Sequence, residues 1–284
     1  MQDKTSAIII PIYEDEFDII IKTSLDSLIK NSSEYTKKQY PIILIGPNKL
    51  KQRIEQVSDY LKKSFSVSSR LYEDYFFEST ASYSRLLKTH DFYLGFKDFD
   101  YILIYQTDCL MIHDNLKIWI NKGYDYIGAP ILSQNAGWKK VPIVGNGGCS
   151  LRKISYFLDV TNPKGKFLTK YQEKLDKEIS GRGPEGYKDF EDLYFAELIA
   201  YYYGMDKPKY LESLDFAFDM NPDVAKTLKK DSKSFPDFLH AYDKNLRFYN
   251  TINQFKENIN DYEVLYNFCE KKYQELHKYY QTDL

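Results

Sequence analysis

The chain is organised around one stretch, Phe99-Asp100-Tyr101-Ile102-Leu103-Ile104-Tyr105-Gln106-Thr107-Asp108-Cys109. Its middle is a run of β-branched and aromatic residues and its ends are acidic or polar, which predicts a buried strand. Open α/β sheets bind their ligands outside the carboxyl ends of the strands, and this strand delivers Asp108 to that edge. Asp108 is therefore the first residue to which we assign chemistry.

Two apolar runs precede this strand, and each is followed by a helical pattern. Ala7 to Ile12 leads into a helix predicted from Phe17 to Ile29, and Pro41 to Ile45 leads into one from Leu50 to Leu61. Uninterrupted apolar strands that alternate with helices are typical of a parallel sheet covered on both faces. The N-terminal part of the chain therefore predicts a nucleotide-binding half of Rossmann type.

A helix is predicted from Ser79 to Phe96, directly before the central strand, with Ser79 and Thr80 as its cap. It carries Arg85, which has two interpretations. The side chain is either a solvated surface arginine or a contact to a bound diphosphate.

A glycine-rich segment, Gly145-Asn146-Gly147-Gly148, follows the central strand and comes before a helical pattern from Ile154 to Val160. Glycines at such a turn allow positive φ and a close approach of the backbone to a ligand. A tight hairpin explains the same residues. The segment is not a Walker motif, because the Lys-Ser/Thr pair is missing.

An acidic pair, Glu191 and Asp192, opens a helix predicted to run to about Tyr203. Acidic residues in a first helical turn are favoured by the helix dipole, so the pair has a structural interpretation beside a chemical one.

The C-terminal third predicts a short strand from Leu214 to Phe218 and a turn from Phe235 to Tyr242 that contains His240. A lone histidine is either a hydrogen-bonded packing residue or a ligand. From about Thr251 the apolar spacing predicts a long amphipathic helix, which docks on the domain or on a partner.

Composition excludes several classes of protein. The 284 residues carry a formal net charge of -2, so the chain has no global basic field and nucleic acid is not its expected partner. Three widely spaced cysteines show no metal-type pairing and indicate a reducing compartment. The N-terminus is too short and acidic for a signal peptide, and no apolar run approaches about 18 residues, so we expect a soluble, cytoplasmic protein.

Four motifs and a late histidine occur in a fixed order: Tyr105-Gln106-Thr107-Asp108, Tyr126-Ile127-Gly128-Ala129-Pro130, Gly145-Asn146-Gly147-Gly148-Cys149-Ser150-Leu151-Arg152, Glu191-Asp192 and His240. As an ordered set they resemble the GT-A glycosyltransferases, and more narrowly a family of bacterial glycosyltransferases of undefined specificity. The resemblance implies an α/β fold with a Rossmann-like, mixed, mostly parallel sheet flanked by helices, plus the C-terminal helical extension. It spans roughly residues 5 to 245 and implies one GT-A domain over 1–250, with a nucleotide-binding half at about 1–115, an acceptor half at about 116–250, and the helix at 251–284.

The resemblance also implies roles for individual residues. The Asp-X-Asp motif that holds a divalent metal, Mn²⁺ or Mg²⁺, maps onto Gln106-Thr107-Asp108, so Gln106 replaces the first acid and strict metal dependence is in doubt. By position, His240 matches the histidine that completes the metal shell. The acidic pair supplies Asp192 as general base of an inverting enzyme, with Glu191 beside it. The residues assigned to the donor, a nucleotide-diphosphate sugar, are Pro11, Tyr13, Arg85, Asp108, Gly147 and Gly148.

The resemblance implies a hexosyltransferase, and physical chemistry agrees with transfer from a nucleotide sugar by these groups. A hard cation held by carboxylate oxygen and imidazole stabilises a departing diphosphate, which a protein of net charge -2 needs. A positioned carboxylate that removes the acceptor proton contributes about 10²–10⁴-fold to the rate. Arg85, Arg152 and Lys153 are further candidates for helping the leaving group. The resemblance further implies a glycan or glycolipid acceptor in bacterial surface polysaccharide synthesis, with peripheral membrane association and a homo-oligomer as further expectations.

Two other classes of function stay open. A nucleotidyltransferase shares such a sheet, but it usually carries a basic, glycine-rich loop after the first strand, and Pro11 to Asp15 lacks one. A non-catalytic sugar-binding or scaffold protein is suggested by Gln106 and by the long terminal helix. Release of pyrophosphate from a nucleoside triphosphate distinguishes the first class, and carbohydrate binding without donor hydrolysis the second.

Overall fold

The structure is a computed structural model that describes residues 3–131, 143–180, 190–219, 236–242 and Asn267. The strands in this part of the chain are β1 Ser6–Pro11, β2 Ile42–Pro47, β3 Val67–Tyr72, β4 Tyr101–Tyr105, β5 Cys109–Met111, β6 Tyr126–Gly128, β7 Pro130–Ile131, β8 Ile143–Val144, β9 Cys149–Lys153, β10 Ala217–Phe218 and β11 Phe238–His240. The C-terminal helix predicted from residue 251 lies outside the described residues.

The helices alternate with the strands along the N-terminal half. They are α1 Ile19–Asn31, α2 Glu34–Gln39, α3 Lys51–Leu61, α4 Thr80–Leu87, α5 His90–Leu94, α6 Leu116–Lys122, α7 Ile154–Thr161, α8 Lys166–Ser180, α9 Glu191–Leu193, α10 Ala200–Tyr203 and α11 Tyr210–Phe216. A π-helical segment, Tyr194–Ile199, joins α9 to α10. In the part of the chain described above, no helix is both long and apolar enough to cross a membrane.

The main sheet has six strands in the order β3-β2-β1-β4-β9-β6. The first four strands are parallel to one another, and β9 is antiparallel to both of its neighbours. The sheet is therefore mixed and mostly parallel, which confirms the predicted fold class. β9 lies beside the central strand β4 and carries the glycine-rich segment to the carboxyl end of β4, because Cys149 pairs with Tyr105.

The apolar strands are buried on both faces, which explains why their sequences do not alternate with polar residues. In β1, Ile8 and Ile10 belong to the core on one face, together with side chains of α1, α3 and α6. Ala7 and Ile9 belong to the core on the other face, together with side chains of α4, α5 and α7. The central strand β4, buried along its length, is thereby fixed from both sides.

The helix predicted from Ser79 to Phe96 is in fact two helices, α4 and α5. The Thr89 hydroxyl accepts the N–H of Phe92 and so caps a new helix instead of continuing the old one. Ser79 caps α4 as predicted, in a capping box with Ser82. The break leaves Tyr83 and Ser84 of α4 at the carboxyl end of the sheet.

Two predictions for the C-terminal third were wrong in secondary structure. The predicted strand from Leu214 to Phe218 is mostly the helix α11, and only Ala217–Phe218 is extended as β10. The predicted turn around His240 contains the strand β11. These strands are too short for an apolar alternation to be read from sequence, and their pairing partners lie far away in the chain.

A second, three-stranded sheet in the order β10-β11-β5 places His240 near Asp108. β11 is antiparallel to β5, and His240 pairs with Cys109, the residue after Asp108. Buried hydrogen bonds fix the start of β11, since the carboxylate of Asp237 accepts from Trp119 Nε1 at 2.6 Å and from Asn115 Nδ2 at 2.8 Å. The histidine predicted as a ligand therefore sits on a rigid strand.

Candidate active site

A cavity of about 520 Å³ opens at the carboxyl ends of β1 and β4. One part of its lining is aromatic and consists of Tyr13, Phe77, Tyr83 and Phe190. The ring centroid of Tyr83 lies 6.2 Å from that of Tyr13 and 5.8 Å from that of Phe77, so these three rings form one wall. Such a volume fits a small-molecule ligand, and this edge of an α/β sheet is where ligands bind.

The polar part of the lining comes from separate segments of the chain. It contains Glu78, Ser79, Thr80 and Ser84 from the α4 region, Gln106 after β4, Asn146, Gly147 and Gly148 before β9, the acidic pair Glu191 and Asp192, and His240. Four of the predicted site residues besides Tyr13 and His240 thus share one cavity: Gly147, Gly148, Glu191 and Asp192. Asp108 is buried next to His240 rather than part of the described lining.

Three polar side chains meet at one end of this cavity. His240 Nε2 lies 3.2 Å from the amide oxygen Oε1 of Gln106 and 3.4 Å from Oδ1 of Asp108. Neighbouring ligands of one small cation are about 3 Å apart, given metal–ligand distances of about 2.0–2.3 Å. One imidazole nitrogen, one carboxylate oxygen and one amide oxygen therefore have the separation and the chemistry that fit a divalent cation such as Mn²⁺ or Mg²⁺.

The thiol of Cys109 also lies near this group, because its sulfur and the ligand atoms of Asp108 and His240 are all within 4.8 Å of one another. Burial raises the pKa of Cys109 well above its ordinary value, and the thiol lies 3.5 Å from the carbonyl oxygen of Gly148, to which it donates. A buried, protonated thiol is a poor ligand for a hard cation. Cys109 is therefore part of the packing around the group.

The other ring nitrogen of His240 is held by a residue that sequence reasoning missed. His240 Nδ1 lies 2.9 Å from Oδ1 of Asp219. Burial alone lowers the pKa of His240, but the Asp108 carboxylate and hydrogen bonds to Asp108 and Asp219 outweigh burial, and the pKa is raised well above its ordinary value. In the absence of a cation, both nitrogens therefore carry protons shared with acceptor oxygens.

The glycines of the Gly145–Gly148 segment are required mainly by neighbouring side chains. A Cβ on Gly147 would overlap Oε1 of Glu191, and a Cβ on Gly148 would overlap Nε2 of His240. Among the glycines of this segment, only Gly145 has a left-handed φ, of 130°. The close approach predicted from the glycines thus exists, but it is made to the side chains of the site.

Glu191 is half of a buried ion pair. Its Oε1 lies 2.8 Å from Nη2 of Arg152, a residue with no exposed surface, and its Oε2 accepts from Ser84 Oγ at 3.1 Å. Both oxygens are occupied, so Glu191 is suited to orienting the start of the helix rather than to moving a proton. Arg152, which the sequence offered as a contact to the leaving group, neutralises this carboxylate instead.

Asp192 has the environment of a general base. Burial, followed by the negative charge of Glu191, raises the pKa of Asp192 to about 7. Two backbone N–H groups bond its oxygens, Leu193 at 2.7 Å and Gly147 at 3.4 Å. The π-helical segment begins two residues later, and π-helical turns occur often at functional sites. A carboxylate with a pKa near neutrality that faces a cavity can accept a proton.

Other candidates lie apart from the described lining. Arg85 is exposed, although Tyr83 and Ser84 on the same helix reach the cavity. Pro11 is buried in β1, where it pairs with Ile45. Lys153 forms an ion pair with Asp125 at 3.0 Å.

Glu14 is a second residue that the sequence analysis did not single out. Its Oε1 accepts the hydroxyl of Thr107 at 3.0 Å, next to Asp108, and burial raises its pKa. Its place in an acidic loop after β1 was visible in the sequence, but nothing there showed that β1 and β4 are adjacent.

Comparison with solved structures defines the class to which this fold belongs. The glycosyltransferase GlyE of Streptococcus pneumoniae TIGR4 is similar with a TM-score of 0.53 and 16% identity, over 94% of this chain and 64% of that one. Mouse xyloside xylosyltransferase 1 is similar with a TM-score of 0.53 and 10% identity, over 83% of this chain and 97% of that one. The fold is that of the GT-A glycosyltransferases. The chain spans slightly less than two thirds of the length of GlyE.

The family of the chain follows from its sequence. A family model described as "Protein of unknown function (DUF5672)" matches residues 66–236, which include β4, the glycine-rich segment and the acidic pair. The chain belongs to this family. No curated protein matches the sequence.

Proposed function

We propose that this protein is a glycosyltransferase that moves a sugar from a nucleotide-diphosphate sugar to a hydroxyl group of a glycan or glycolipid. The observation that carries the proposal is that Asp192, a carboxyl with a pKa of about 7, lines one cavity of a GT-A fold together with Gln106 and His240, the latter in contact with the buried Asp108. Asp192 is suited to removing a proton, and the residues around His240 are suited to holding a cation for a diphosphate leaving group.

The donor diphosphate is proposed to lie at the His240 end of the cavity. A divalent cation held there by Asp108, His240 and Gln106 would neutralise charge on the departing diphosphate as a Lewis acid. Gln106 offers an amide oxygen where the usual motif has a carboxylate, so the donor set loses one negative charge but keeps its oxygen. Gln106 in place of the first acid is therefore compatible with a cation bound next to His240.

The charge of the cavity supports metal-dependent binding of the donor. Among the described lining residues the acids are Glu78, Glu191 and Asp192, and none is a lysine or an arginine. The buried Arg152 is already paired with Glu191. His240, whose pKa is raised, is the basic side chain of the described lining, and its charge is offset by Asp108 and Asp219. A diphosphate that enters such a lining therefore needs further positive charge, which a bound cation would supply.

Asp192 is proposed to accept the proton of the attacking acceptor hydroxyl. At neutral pH a group with a pKa of about 7 is partly ionised and still basic enough to take a proton as the new bond forms. The hydroxyl attacks the anomeric carbon, the bond from that carbon to the diphosphate oxygen breaks, and the proton passes to the Asp192 carboxylate. A separate base of this kind fits a single displacement with inversion.

The remaining lining suits sugars. Aromatic rings such as Tyr13 and Phe190 offer faces for sugar stacking, and Ser79 and Thr80 add hydroxyl groups. A hexose is the proposed transferred group. We also propose that residues 1–250 form the catalytic unit, that the enzyme acts in the cytoplasm, and that its product contributes to bacterial surface polysaccharide.

The test is a calorimetric titration of the purified protein with UDP, GDP, CDP and dTDP, each with and without Mn²⁺. We expect one diphosphate to bind and its affinity to depend on Mn²⁺. That base is then used in a screen of nucleotide sugars for transfer and slow hydrolysis. An Asp192→Asn variant serves as the matched control, since it should bind the same diphosphate without turning over the donor.

Three results would contradict parts of the proposal. Binding of none of the diphosphates would remove the donor site. Binding followed by no hydrolysis or transfer with any sugar would favour a non-catalytic sugar-binding protein. Release of pyrophosphate from a nucleoside triphosphate would indicate a nucleotidyltransferase.

A further inference from the structure

We propose that Asp219 is a positioning residue, which orients His240 for a divalent cation and ties it to the glycine-rich loop. The inference builds on the proposed function, because it concerns the metal group of the same cavity. Asp219 was not part of any motif in the sequence. Its role follows from where two short strands place it.

Strand pairing brings Asp219 beside His240. Phe218 of β10 pairs with Leu239 of β11 in parallel register, so the residues that follow them, Asp219 and His240, lie side by side. Asp219 Oδ1 accepts from His240 Nδ1 at 2.9 Å, and both side chains are mostly buried, with 11% and 9% of their surface exposed. His240 lies in β11 and Asp219 directly follows β10, so both side chains are anchored next to paired backbone.

The bond determines what the other nitrogen of the ring does. When Nδ1 keeps its proton for Asp219, the lone pair available to a cation is on Nε2, which faces Gln106 at 3.2 Å and Asp108 at 3.4 Å. A carboxylate on the far side of a ligating imidazole also increases the basicity of the ligating nitrogen. Asp219 therefore sets both the direction and the strength of His240 as a ligand.

The second oxygen of Asp219 connects this pair to the cavity loop. Asn146 Nδ2 donates to Asp219 Oδ2 at 3.2 Å, and Asn146 Oδ1 accepts the backbone N–H of Gly148 at 3.0 Å. The preceding backbone N–H in the loop, that of Gly147, donates to Asp192 at 3.4 Å. One short loop thus contacts the residue that orients the ligand and the proposed base.

The consequence is that Asp219 influences metal affinity without lining the described part of the cavity. Loss of its carboxylate should weaken cation binding about 10–100-fold, the range observed when partners of metal-binding histidines are removed. At saturating metal, the rate constant of transfer should recover most of its original value. A residue that only stabilises the fold would lower the melting temperature and leave the metal requirement unchanged.

The experiment measures Mn²⁺ binding to the full chain by the electron paramagnetic resonance signal of free Mn²⁺, with no sugar or nucleotide present. The variants are Asp219→Ala, Asp219→Asn and Asn146→Ala, and the control is Glu212→Gln, which removes an ion pair with Lys122 outside the described cavity lining. Affinity should be highest in wild type, lower in Asp219→Asn and lowest in Asp219→Ala, since asparagine retains an acceptor oxygen. The control should bind as wild type does.

Melting temperatures of all variants are measured in parallel. If Asp219→Ala does not fold, the Mn²⁺ affinity of Asp219→Asn is compared with that of wild type instead. An affinity that stays within twofold of wild type in both Asp219 variants would overturn the inference while leaving the proposed function intact. Wild-type protein that binds no Mn²⁺ would also overturn it. Weakened Mn²⁺ binding in a protein that transfers no sugar would support the inference and contradict the proposed function.

Discussion

The Nε2 atom of His240 lies 3.2 Å from the amide oxygen of Gln106, a residue 134 positions earlier in the chain. The contact joins the end of the central strand to the second sheet. The same nitrogen lies 3.4 Å from Oδ1 of Asp108. The Gln106-Thr107-Asp108 segment, which lacks the first acid of the usual motif, therefore still places two oxygen donors next to the histidine nitrogen. The chemistry of this group and of the acidic pair across the cavity can be measured separately.

Replacing Asp192 by asparagine should reduce the rate constant of transfer by about 10²–10⁴-fold, because the acceptor hydroxyl loses the group that removes its proton. Diphosphate binding should change little, since Asp192 is not among the three converging donor groups, His240, Gln106 and Asp108. Steady-state kinetics and calorimetry on the same preparation measure the two effects. A variant that retains more than about half of the rate would rule out Asp192 as the base.

The rate of transfer should depend on pH through Asp192. Because burial and Glu191 raise the pKa of this carboxyl to about 7, the base is protonated and inactive in acid, and the rate should rise with pH up to about that value. Initial rates at saturating donor and metal between pH 5 and 9 measure the profile. A rate that is already constant from pH 5 upward would mean that the reacting group has an ordinary carboxyl pKa.

The same shift predicts an effect on stability. A carboxyl whose pKa is raised in the folded state binds its proton more tightly there, so the stability that it contributes falls as pH rises from about 4 to about 7. Asp192→Asn removes this loss and should raise the free energy of unfolding at pH 8 by at most about 4 kcal/mol, since each pKa unit is worth about 1.4 kcal/mol, with little change at pH 4. Urea denaturation at both pH values measures the difference. A variant that is destabilised more at pH 8 than at pH 4 would contradict the sign.

Replacing Glu191, the neighbour of Asp192, should lower the stability of the folded protein instead of raising it. Glu191→Gln leaves the fully buried guanidinium of Arg152 without its negative partner, and breaking a buried ion pair in this way costs about 3–5 kcal/mol. We expect a lower melting temperature at neutral pH and a loss of activity that parallels the loss of folded protein. Glu191→Gln that folds as stably as wild type but transfers no sugar would indicate a direct role in the reaction.

Asp108→Asn should weaken Mn²⁺-dependent binding of the diphosphate at least about tenfold, because a carboxylate ligand is lost from the group at His240. Removal of metal with a chelator should have the same effect on the wild-type protein, and added Mn²⁺ should reverse it. Titration calorimetry of wild type and variant, each with and without Mn²⁺, measures the affinity for the diphosphate. Equal affinity in wild type and variant at every metal concentration would exclude Asp108 as a ligand.

The two adjacent glycines offer a test of which side chain each one accommodates. Gly148→Ala places a methyl group against His240 Nε2 and should weaken Mn²⁺ binding, whereas Gly147→Ala places it against Glu191 and should lower stability. Measuring Mn²⁺ affinity and melting temperature for both variants gives a matched comparison. If the two variants change Mn²⁺ affinity and melting temperature equally, the two glycines do not accommodate different side chains, and the loop shifts as one unit.

Three strands of the main sheet, β1, β2 and β4, and the residue types of the site could be predicted from the sequence alone, whereas β3 and β9 were not predicted. Continuous apolar runs such as Ala7 to Ile12 that alternate with helical patterns favour strands covered on both faces, so these parallel strands were predictable from local pattern. The helix start at Glu191 was also predictable, because the acidic residues of its first turn and the apolar spacing after them lie next to one another in the chain.

Which site residues are in contact with one another depends on tertiary contacts that local sequence does not show. The break between α4 and α5 depends on whether Thr89 bonds to a backbone N–H or the helix continues, and a local pattern does not settle that competition. Pairing of β5 with β11 and of β10 with β11 brings His240 to Asp108 and to Asp219, and short strands carry too few side chains to specify a distant partner from sequence. The distinct roles of Glu191 and Asp192 likewise come from the fold, because the buried Arg152 is in contact with one carboxylate, while burial raises the pKa of the other.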